Sequence, residues 1–380
     1  MRRLFLSALL IPIFLSLVPA CSSERYVETI EVAFAPPPAG TLTAAEAQAA
    51  MLASYRRFGD LQVVTVAGDF DRLVAVQHCG LWQELGRREQ LDPRHCSMFE
   101  FRAPDGRRIL GRNFDNKATE LLVAYCVPDS GYASVGFVPL RELGFDETTP
   151  FDPGNELQRR RLLWAPVATC DGINERGVCV SLASLGRRPV TQDPDKASRF
   201  LLHLVREILD HAGSVDEATA IAGRYNVFDN GREVISHHIF IGDPHGSVVL
   251  EWREGVMQVV PADAGGATQI VTNSPLAGVD EDGRRDQCGR YRVLRRRLEE
   301  MSGREAGREG APGSPLWQQG LDALAAAAQR KATYWIDGER WRVNTEWSAV
   351  FDLDASRDVY ICLRRQWGRV YRVAWPDGSG

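Results

Sequence analysis

Residues 96–115 read CSMFEFRAPDGRRILGRNFD, and the rest of the chain is organised around this stretch. An alternating run follows Cys96, a turn signal stands at Pro104-Asp105-Gly106, and a second run ends at Asp115. This pattern predicts a β-hairpin. A hairpin of this length folds its second strand back along the first, so Arg112 and Asp115 are expected near Cys96. We therefore predict that a thiol, a guanidinium and a carboxylate meet at one edge of a sheet.

The composition is that of an ordinary globular protein. The chain has 380 residues, a formal net charge of -5, 44% hydrophobic residues and 25% charged residues. This length allows one large domain or two modest ones. The basic residues are scattered among acids, and the dense run at 292–297 is followed by Glu299 and Glu300, which is typical of a solvated helix face. No nucleic-acid partner is predicted, and no CxxC pair or Cys/His cluster has the spacing of a metal site.

The first 21 residues have the pattern of a targeting segment. Arg2 and Arg3 precede an apolar run at 4–18, and the segment ends at Ala20-Cys21. A small residue before a cysteine resembles the lipobox of bacterial lipoproteins, in which the cysteine is lipidated and becomes the mature N-terminus. An ordinary secretory peptide cut near the same place is the alternative. Both interpretations place the protein outside the cytoplasm, and we favour a lipid anchor at Cys21 in the cell envelope.

Three segments are predicted. The N-terminal pattern indicates a lipoprotein signal peptide at residues 1–21 and, within residues 22–95, a tether with a Pro-rich spacer at 35–40. The family resemblance given below implies that residues 22–95 also serve as a pro-region and that residues 96–380 are the catalytic domain. Six cysteines remain besides Cys21 and Cys96. Outside the cytoplasm they could form disulfides, and buried free thiols are an equally good interpretation; they are Cys79, Cys126, Cys170, Cys179, Cys288 and Cys362.

The pattern of the remaining elements predicts an α+β fold. Helices are expected at about 44–58, 198–211, 215–225, 289–301 and 316–331. Strands are expected at 61–67, 121–127, 132–138, 163–168, 178–183, 237–241, 247–252, 257–261, 268–272, 348–353, 358–363 and 370–374. Most strands are joined as hairpins rather than through helices. This order favours antiparallel sheets with helices packed on them.

Five segments, taken in order, resemble the motifs of one family. The family is the choloylglycine hydrolase and acid-ceramidase-like group of N-terminal-nucleophile hydrolases, which includes the penicillin acyltransferase branch. The matching segments lie within about 96–365, and they are Cys96-Ser97 with Gly111–Asp115, Asp171–Gly177, Val271–Pro275, Gly289-Arg290-Tyr291 and Glu346–Asp352. The resemblance implies a four-layer αββα sandwich with two stacked, mostly antiparallel sheets. It also implies hydrolysis of linear amide C–N bonds in small N-acyl amides, without a cofactor.

The resemblance also implies roles for individual residues. Cys96 would be freed by autocatalytic cleavage between His95 and Cys96, and its α-amine, with an ordinary pKa of about 7.7–8.0, would serve as general base. Arg112 would keep the thiol region electropositive, and Asp115 would orient the amine or thiol. The remaining residues would bind substrate or stabilise the site. Asn174 would donate to the oxyanion, Asn273 would hold substrate or the oxyanion region, and Arg290 would tie the site together.

Each of these residues taken alone also fits a structural role. Cys96 fits a buried strand cysteine, Arg112 and Asp115 an ion pair, and Asn174 a turn residue. Asn273 fits a strand-ending turn, and Arg290 a surface helix. At the level of the whole protein, the alternatives are an acyltransferase to an amine acceptor or a ligand-binding lipoprotein that never matures. The sequence leaves the oligomeric state open, and it assigns no role to His237, His238 and His245.

Overall fold

The computed structural model describes residues 27–38, 40, 42–79, 96–229, 233–262, 267–280, 282–284, 288–303, 314–336 and 339–376. The helices in this part of the chain are α1 (Ala44–Ser54), α2 (Phe70–Cys79), α3 (Glu156–Arg160), α4 (Leu201–His211), α5 (Val215–Ala222), α6 (Gly289–Met301) and α7 (Leu316–Ala327). Short 3₁₀ turns occur at Leu140–Leu143, Arg161–Trp164 and Pro166–Ala168.

Nineteen strands are found in the described residues. They are β1 (Glu28–Val32), β2 (Arg56–Phe58), β3 (Leu61–Gly68), β4 (Ser97–Arg102), β5 (Arg108–Asn116), β6 (Leu121–Pro128), β7 (Ser134–Pro139), β8 (Asp171–Asn174), β9 (Cys179–Pro189), β10 (Ala197–Phe200), β11 (Tyr225–Phe228), β12 (Val234–Asp243), β13 (Gly246–Arg253), β14 (Val256–Pro261), β15 (Thr268–Val271), β16 (Ala332–Ile336), β17 (Glu339–Asp352), β18 (Val359–Leu363) and β19 (Arg369–Val373).

The strands form two large sheets. Sheet A has the order β1-β19-β18-β17-β5-β4-β15, with β16 paired to the first part of β17. Sheet B has the order β14-β13-β12-β9-β8-β7-β6-β3-β2. Parallel pairing within these sheets occurs between β1 and β19 and between β3 and β6, and the other pairs are antiparallel. The predicted α+β class with two mostly antiparallel sheets is confirmed.

The sheets stack face to face between layers of helices. Phe137 of sheet B contacts Phe351 of sheet A, with ring centroids 5.2 Å apart. On the outer face of sheet A, α6 and α7 bury Leu294 and Leu324 against Phe99 and Phe101. On the outer face of sheet B, α1 packs through Met51, and α4 and α5 contact the neighbouring strands. Removal of these apolar faces from water is the main force that holds the four layers together.

The predicted hairpin at 96–115 is present as β4 and β5. Gly106 takes the turn with φ +93°, a left-handed conformation that favours glycine. Gly111 lies so close to the Phe99 ring that an added Cβ would be 2.3 Å from it. Any side chain at position 111 would therefore displace Phe99 from the interface between sheet A and α6.

The structure corrects several expectations and resolves another. Residues 56–58 and 198–200 were expected at the ends of helices but belong to the strands β2 and β10. Residues 163–168 were expected as a strand but form 3₁₀ turns, because Pro166 has no N–H for a ladder and suits a first helical turn. Residues 28–32, expected within a tether, form an edge strand beside β19. The six cysteines whose side chains are described, which are Cys96, Cys126, Cys170, Cys179, Cys288 and Cys362, are free thiols.

In the part of the chain that the structure describes, no helix combines the length and apolarity needed to cross a membrane.

Candidate active site

Cys96 lies at one end of sheet A, directly before β4. The next residue, Ser97 of β4, pairs with Asn113 of β5, which in turn pairs with Ser348 of β17. Arg112 and Asp115 of β5 therefore come back beside the start of β4. All three side chains of the predicted cluster are fully buried. The hairpin geometry expected from the sequence thus brings them together.

Arg112 connects the thiol to sheet B. Its Nη2 lies 3.4 Å from Cys96 Sγ, and its Nη1 donates to the carboxylate of Asp171. The same nitrogen contacts Ser181 Oγ at 2.8 Å and the carbonyl oxygen of Leu182 at 2.8 Å. A guanidinium buried at this depth needs a counter-charge and hydrogen-bond acceptors, and Asp171 with its neighbours supplies them. Asp171 begins a motif quoted above, yet no role was expected for it from the sequence.

Arg290, on the first turn of α6, holds the other side of the cluster. Its Nη1 donates to the carbonyl oxygen of Cys96 at 2.6 Å and to Asp115 Oδ2 at 3.2 Å. Its Nη2 donates to Asn273 Oδ1 at 2.7 Å. One guanidinium therefore ties the backbone of Cys96 to Asp115 and Asn273, which are three of the residues singled out from the sequence.

Asp115 is held by residues that sequence reasoning missed. Its Oδ2 accepts from Gln329 Nε2 at 3.2 Å, and its Oδ1 accepts from the hydroxyl of Thr345 at 2.5 Å. Thr345 directly precedes the quoted motif at 346–352, which could have indicated it, whereas no local pattern marks Gln329. Burial raises the pKa of the Asp115 carboxyl, and the charge of Arg290 and the Thr345 hydroxyl act in the opposite direction.

Burial and the charges of the neighbouring groups act in opposite directions on the pKa of the Cys96 thiol. Burial raises the pKa of the Cys96 thiol, Arg112 opposes that rise, and the charge of Asp115 adds to it. The neutral thiol is accordingly the favoured form while residue 96 stands inside an intact chain. An α-amine beside the sulfur would change this balance, because an ammonium group favours thiolate and a neutral amine can accept the thiol proton.

Asn273 is fixed from sheet B. Its Nδ2 donates to the carbonyl oxygen of Ser184 at 2.7 Å. The loop that follows it is held by Glu251, whose carboxylate accepts from the backbone N–H groups of Leu276 and Ala277 at 2.8 Å each. His238 Nδ1 lies 2.8 Å from Glu251, and both side chains are buried. This buried pair supports the loop at the end of β15.

Asn174 does not join the Cys96 cluster through its side chain. Its Nδ2 donates to the carbonyl oxygens of Leu209 and Ala212 at 3.0 and 2.8 Å. Its Oδ1 accepts from the backbone N–H groups of Arg176 and Val178, each at 3.0 Å. Because both amide hydrogens are already donated to α4 and its C-terminus, the side chain has no N–H left for an oxyanion. The predicted oxyanion role of Asn174 is corrected to that of a turn residue docking α4.

Two predicted sites lie outside the described residues, namely the lipidation site Cys21 and the residue before the cleaved bond, His95. Within the described residues, no group of three or more His, Cys, Asp or Glu side chains is arranged as a metal site.

Comparison with solved structures shows what this fold is similar to. One variant of conjugated bile acid hydrolase from Clostridium perfringens aligns with a TM-score of 0.50 at 14% identity, covering 73% of this chain and 92% of that chain. A second variant of the same enzyme aligns with a TM-score of 0.48, also at 14% identity and with the same coverage. Penicillin V acylase from Agrobacterium tumefaciens aligns with a TM-score of 0.47 at 14% identity, over 70% of this chain and 83% of that chain. No family profile and no curated protein sequence matches the chain.

Proposed function

We propose that this protein hydrolyses linear amide C–N bonds of small N-acyl amides and that Cys96 is its nucleophile. The observation that carries the proposal is the convergence on Cys96 of two arginines. Arg112 lies against its sulfur and Arg290 binds its carbonyl oxygen. The fold shared with conjugated bile acid hydrolase supports the same chemistry.

Maturation would precede catalysis. We propose that the Cys96 thiol adds to the carbonyl carbon of residue 95 and that the amide nitrogen of Cys96 leaves that carbon and takes up a proton. The resulting thioester is hydrolysed by water, which leaves a carboxylate at residue 95 and a free α-amine at Cys96. Arg290 would hold the Cys96 carbonyl oxygen in place throughout.

Hydrolysis of substrate would follow the same path. The α-amine accepts the thiol proton, and the thiolate attacks the acyl carbon of the amide. The leaving nitrogen takes the proton from the ammonium as the C–N bond breaks, and water then cleaves the thioester to release the acid. Arg290 and the Ser184 carbonyl oxygen hold the polar side chain of Asn273 at this end of sheet A. We assign to Asn273 the role of binding the substrate.

Substitution of two cysteines near Arg290 tests the assignment. Cys96→Ala should abolish cleavage before residue 96 and all labelling by a thiol-directed acyl probe. Cys288→Ala is the matched control: burial raises the pKa of the Cys288 thiol, but the charge of Arg290 together with hydrogen bonds from Tyr291 and Thr272 outweighs burial and lowers that pKa. This control should be cleaved and labelled like the wild type. Equal labelling of Cys96→Ala and the wild type would refute the nucleophile.

N-terminal sequencing of active protein tests maturation separately. A chain that begins at Cys96 is expected, whereas active protein with an intact bond between residues 95 and 96 would exclude self-processing. A protein that neither matures nor reacts with the probe would instead be a ligand-binding lipoprotein. Product analysis with added amines separates hydrolysis, which gives free acid, from acyl transfer, which gives a new amide.

We further propose that Cys21 is lipidated and that the protein is anchored on the extracytoplasmic side of a membrane. The sequence pattern at 1–21 supports this placement. Metabolic labelling with a fatty-acid analogue should mark the wild type and not Cys21→Ser. Labelling that persists in the variant would assign the lipid to another residue.

A further inference from the structure

A two-stranded ribbon projects from sheet A and carries an unusual outer face. The ribbon is formed by β16 and residues 339–343 of β17, with Trp335 paired to Arg340 and Thr333 paired to Arg342. Trp335 is 73% exposed, the largest exposed fraction among the large apolar side chains in the described residues. Arg340 and Arg342 are exposed beside it, and Arg330 and Lys331 are exposed at the base of the ribbon.

The opposite face of the ribbon is packed against the rest of the protein, and this packing holds the outer face in position. Trp341 and Val343 are buried, and Lys117 Nζ lies 3.4 Å from the centre of the Trp341 ring. The Tyr334 hydroxyl donates to Gln329 Oε1 at 2.6 Å. Gln329 in turn donates to Asp115, so the base of the ribbon adjoins the Cys96 cluster.

The ribbon leaves the sheet at the end that carries the thiol. One row of paired residues crosses sheet A from Ile30 through Tyr371, Ile361, Ala349 and Arg112 to Met98. β1, β17 and β4 run in the same direction across this row. Their N-terminal ends, which lead to residue 28, to the ribbon and to Cys96, therefore lie on the same side of the molecule.

The chain segments that lead from this row of paired residues to the ribbon tip and to Cys21 are equally long, so both can end at one plane beyond the sheet. Nine residues separate Ala349 from Arg340 near the ribbon tip, and nine residues separate Ile30 from Cys21. At 3.3–3.4 Å per residue, each length spans at most about 30 Å. A lipid on Cys21 and the indole of Trp335 can therefore reach one membrane surface, with the Cys96 end of the sheet facing it.

We propose that the outer face of the ribbon docks on a phospholipid bilayer that carries negatively charged headgroups. Tryptophan is enriched at membrane interfaces, where its ring lies at the headgroup level, and basic side chains are attracted by anionic lipids. The sequence of 330–342 also contains Asp337 and Glu339, and its four basic residues outnumber them. Docking here would hold the Cys96 end against the surface in which amphiphilic molecules are dissolved.

Vesicle sedimentation tests the proposal without the lipid anchor. The chain from Ser22 onwards, which retains every described residue, is mixed with vesicles of phosphatidylcholine alone or with 30% phosphatidylglycerol. Binding is expected with the anionic vesicles and should weaken in high salt. Arg340→Gln/Arg342→Gln should lower the partition coefficient about 25-fold, since each basic residue near an anionic surface contributes about fivefold. Trp335→Ser should also bind more weakly and should lose quenching by brominated lipids.

Controls of the same chemistry elsewhere separate the ribbon from general surface effects. Leu157→Ser removes a side chain that is 72% exposed on α3, and Arg296→Gln/Arg297→Gln removes two exposed charges from the middle of α6. Both should bind like the wild type. The proposal is overturned if wild-type protein ignores anionic vesicles or if ribbon and control variants bind equally. It is also overturned if Trp335→Ser loses only self-association, which would assign the ribbon to contact between copies. None of these outcomes depends on the amidase activity.

Discussion

Asp171→Asn tests whether the buried ion pair beneath the thiol has the importance that its geometry implies. The side chains of Arg112 and Asp171 are both 0% exposed, and Asp171 Oδ1 also accepts from Ser181 Oγ at 2.7 Å and the Leu182 N–H at 3.1 Å. Asparagine keeps the shape but removes the charge that compensates Arg112. Breaking a buried pair in this way costs about 3–5 kcal/mol, because an uncompensated charge is left out of water.

The assay is urea unfolding with linear extrapolation, supported by thermal unfolding. A loss of 3–5 kcal/mol corresponds to roughly 4–6 °C in a chain of this size. The matched control is Asp105→Asn, which breaks an ion pair with Arg107 whose partners are 56% and 52% exposed. That substitution should cost less than about 1 kcal/mol.

A double substitution separates stability from chemistry. Arg112→Met/Asp171→Leu should recover most of the stability lost in Asp171→Asn, because buried pairs replaced together by apolar residues are often neutral. It should still fail to react with the acyl probe, since no guanidinium then lies against the sulfur of Cys96. A loss in Asp171→Asn no larger than that in Asp105→Asn would refute the reasoning.

Three further outcomes are expected. Burial raises the pKa of Glu346 to about 7, so the folded state binds more protons than the unfolded state between pH 4.5 and 7. As the pH rises through this window, the free energy of unfolding of the wild type should fall by up to about 3 kcal/mol relative to Glu346→Gln, as measured by unfolding at pH 5 and pH 8. Thr345→Val removes a hydroxyl donor to Asp115 and should slow acyl-probe labelling about 10-fold or more, whereas Thr345→Ser should keep most of the rate. If the chain is cleaved before Cys96, both fragments should co-elute in gel filtration and separate only in denaturant, because β3 is buried within sheet B; separation in native buffer would contradict this.

Local sequence signals were sufficient for the elements whose pattern is repeated over several residues. The hairpin of β4 and β5 was predicted because its turn residues and alternating strands are contiguous, and it carries Cys96, Arg112 and Asp115 together. The helix at 289–301 was predicted in full by its apolar spacing. The strand expected at 163–168 failed because its apolar run is too short to distinguish a strand from a helical turn once Pro166 lies within it.

The sequence by itself therefore determined the α+β class, the hairpin and part of the cluster around the thiol, since these depend on periodicity and on ordered motifs. Tertiary structure alone decided what those residues touch. Gln329 lies 214 positions from the Asp115 that it contacts, and no local pattern records such a pairing. The motif around Asn174 indicates an oxyanion donor, and only the fold shows that α4 lies within reach of its amide. Hydrogen-bond partners are set by the packing of layers that are distant in sequence. For this reason the contacts around Cys96 at its end of sheet A could be identified only from the folded structure.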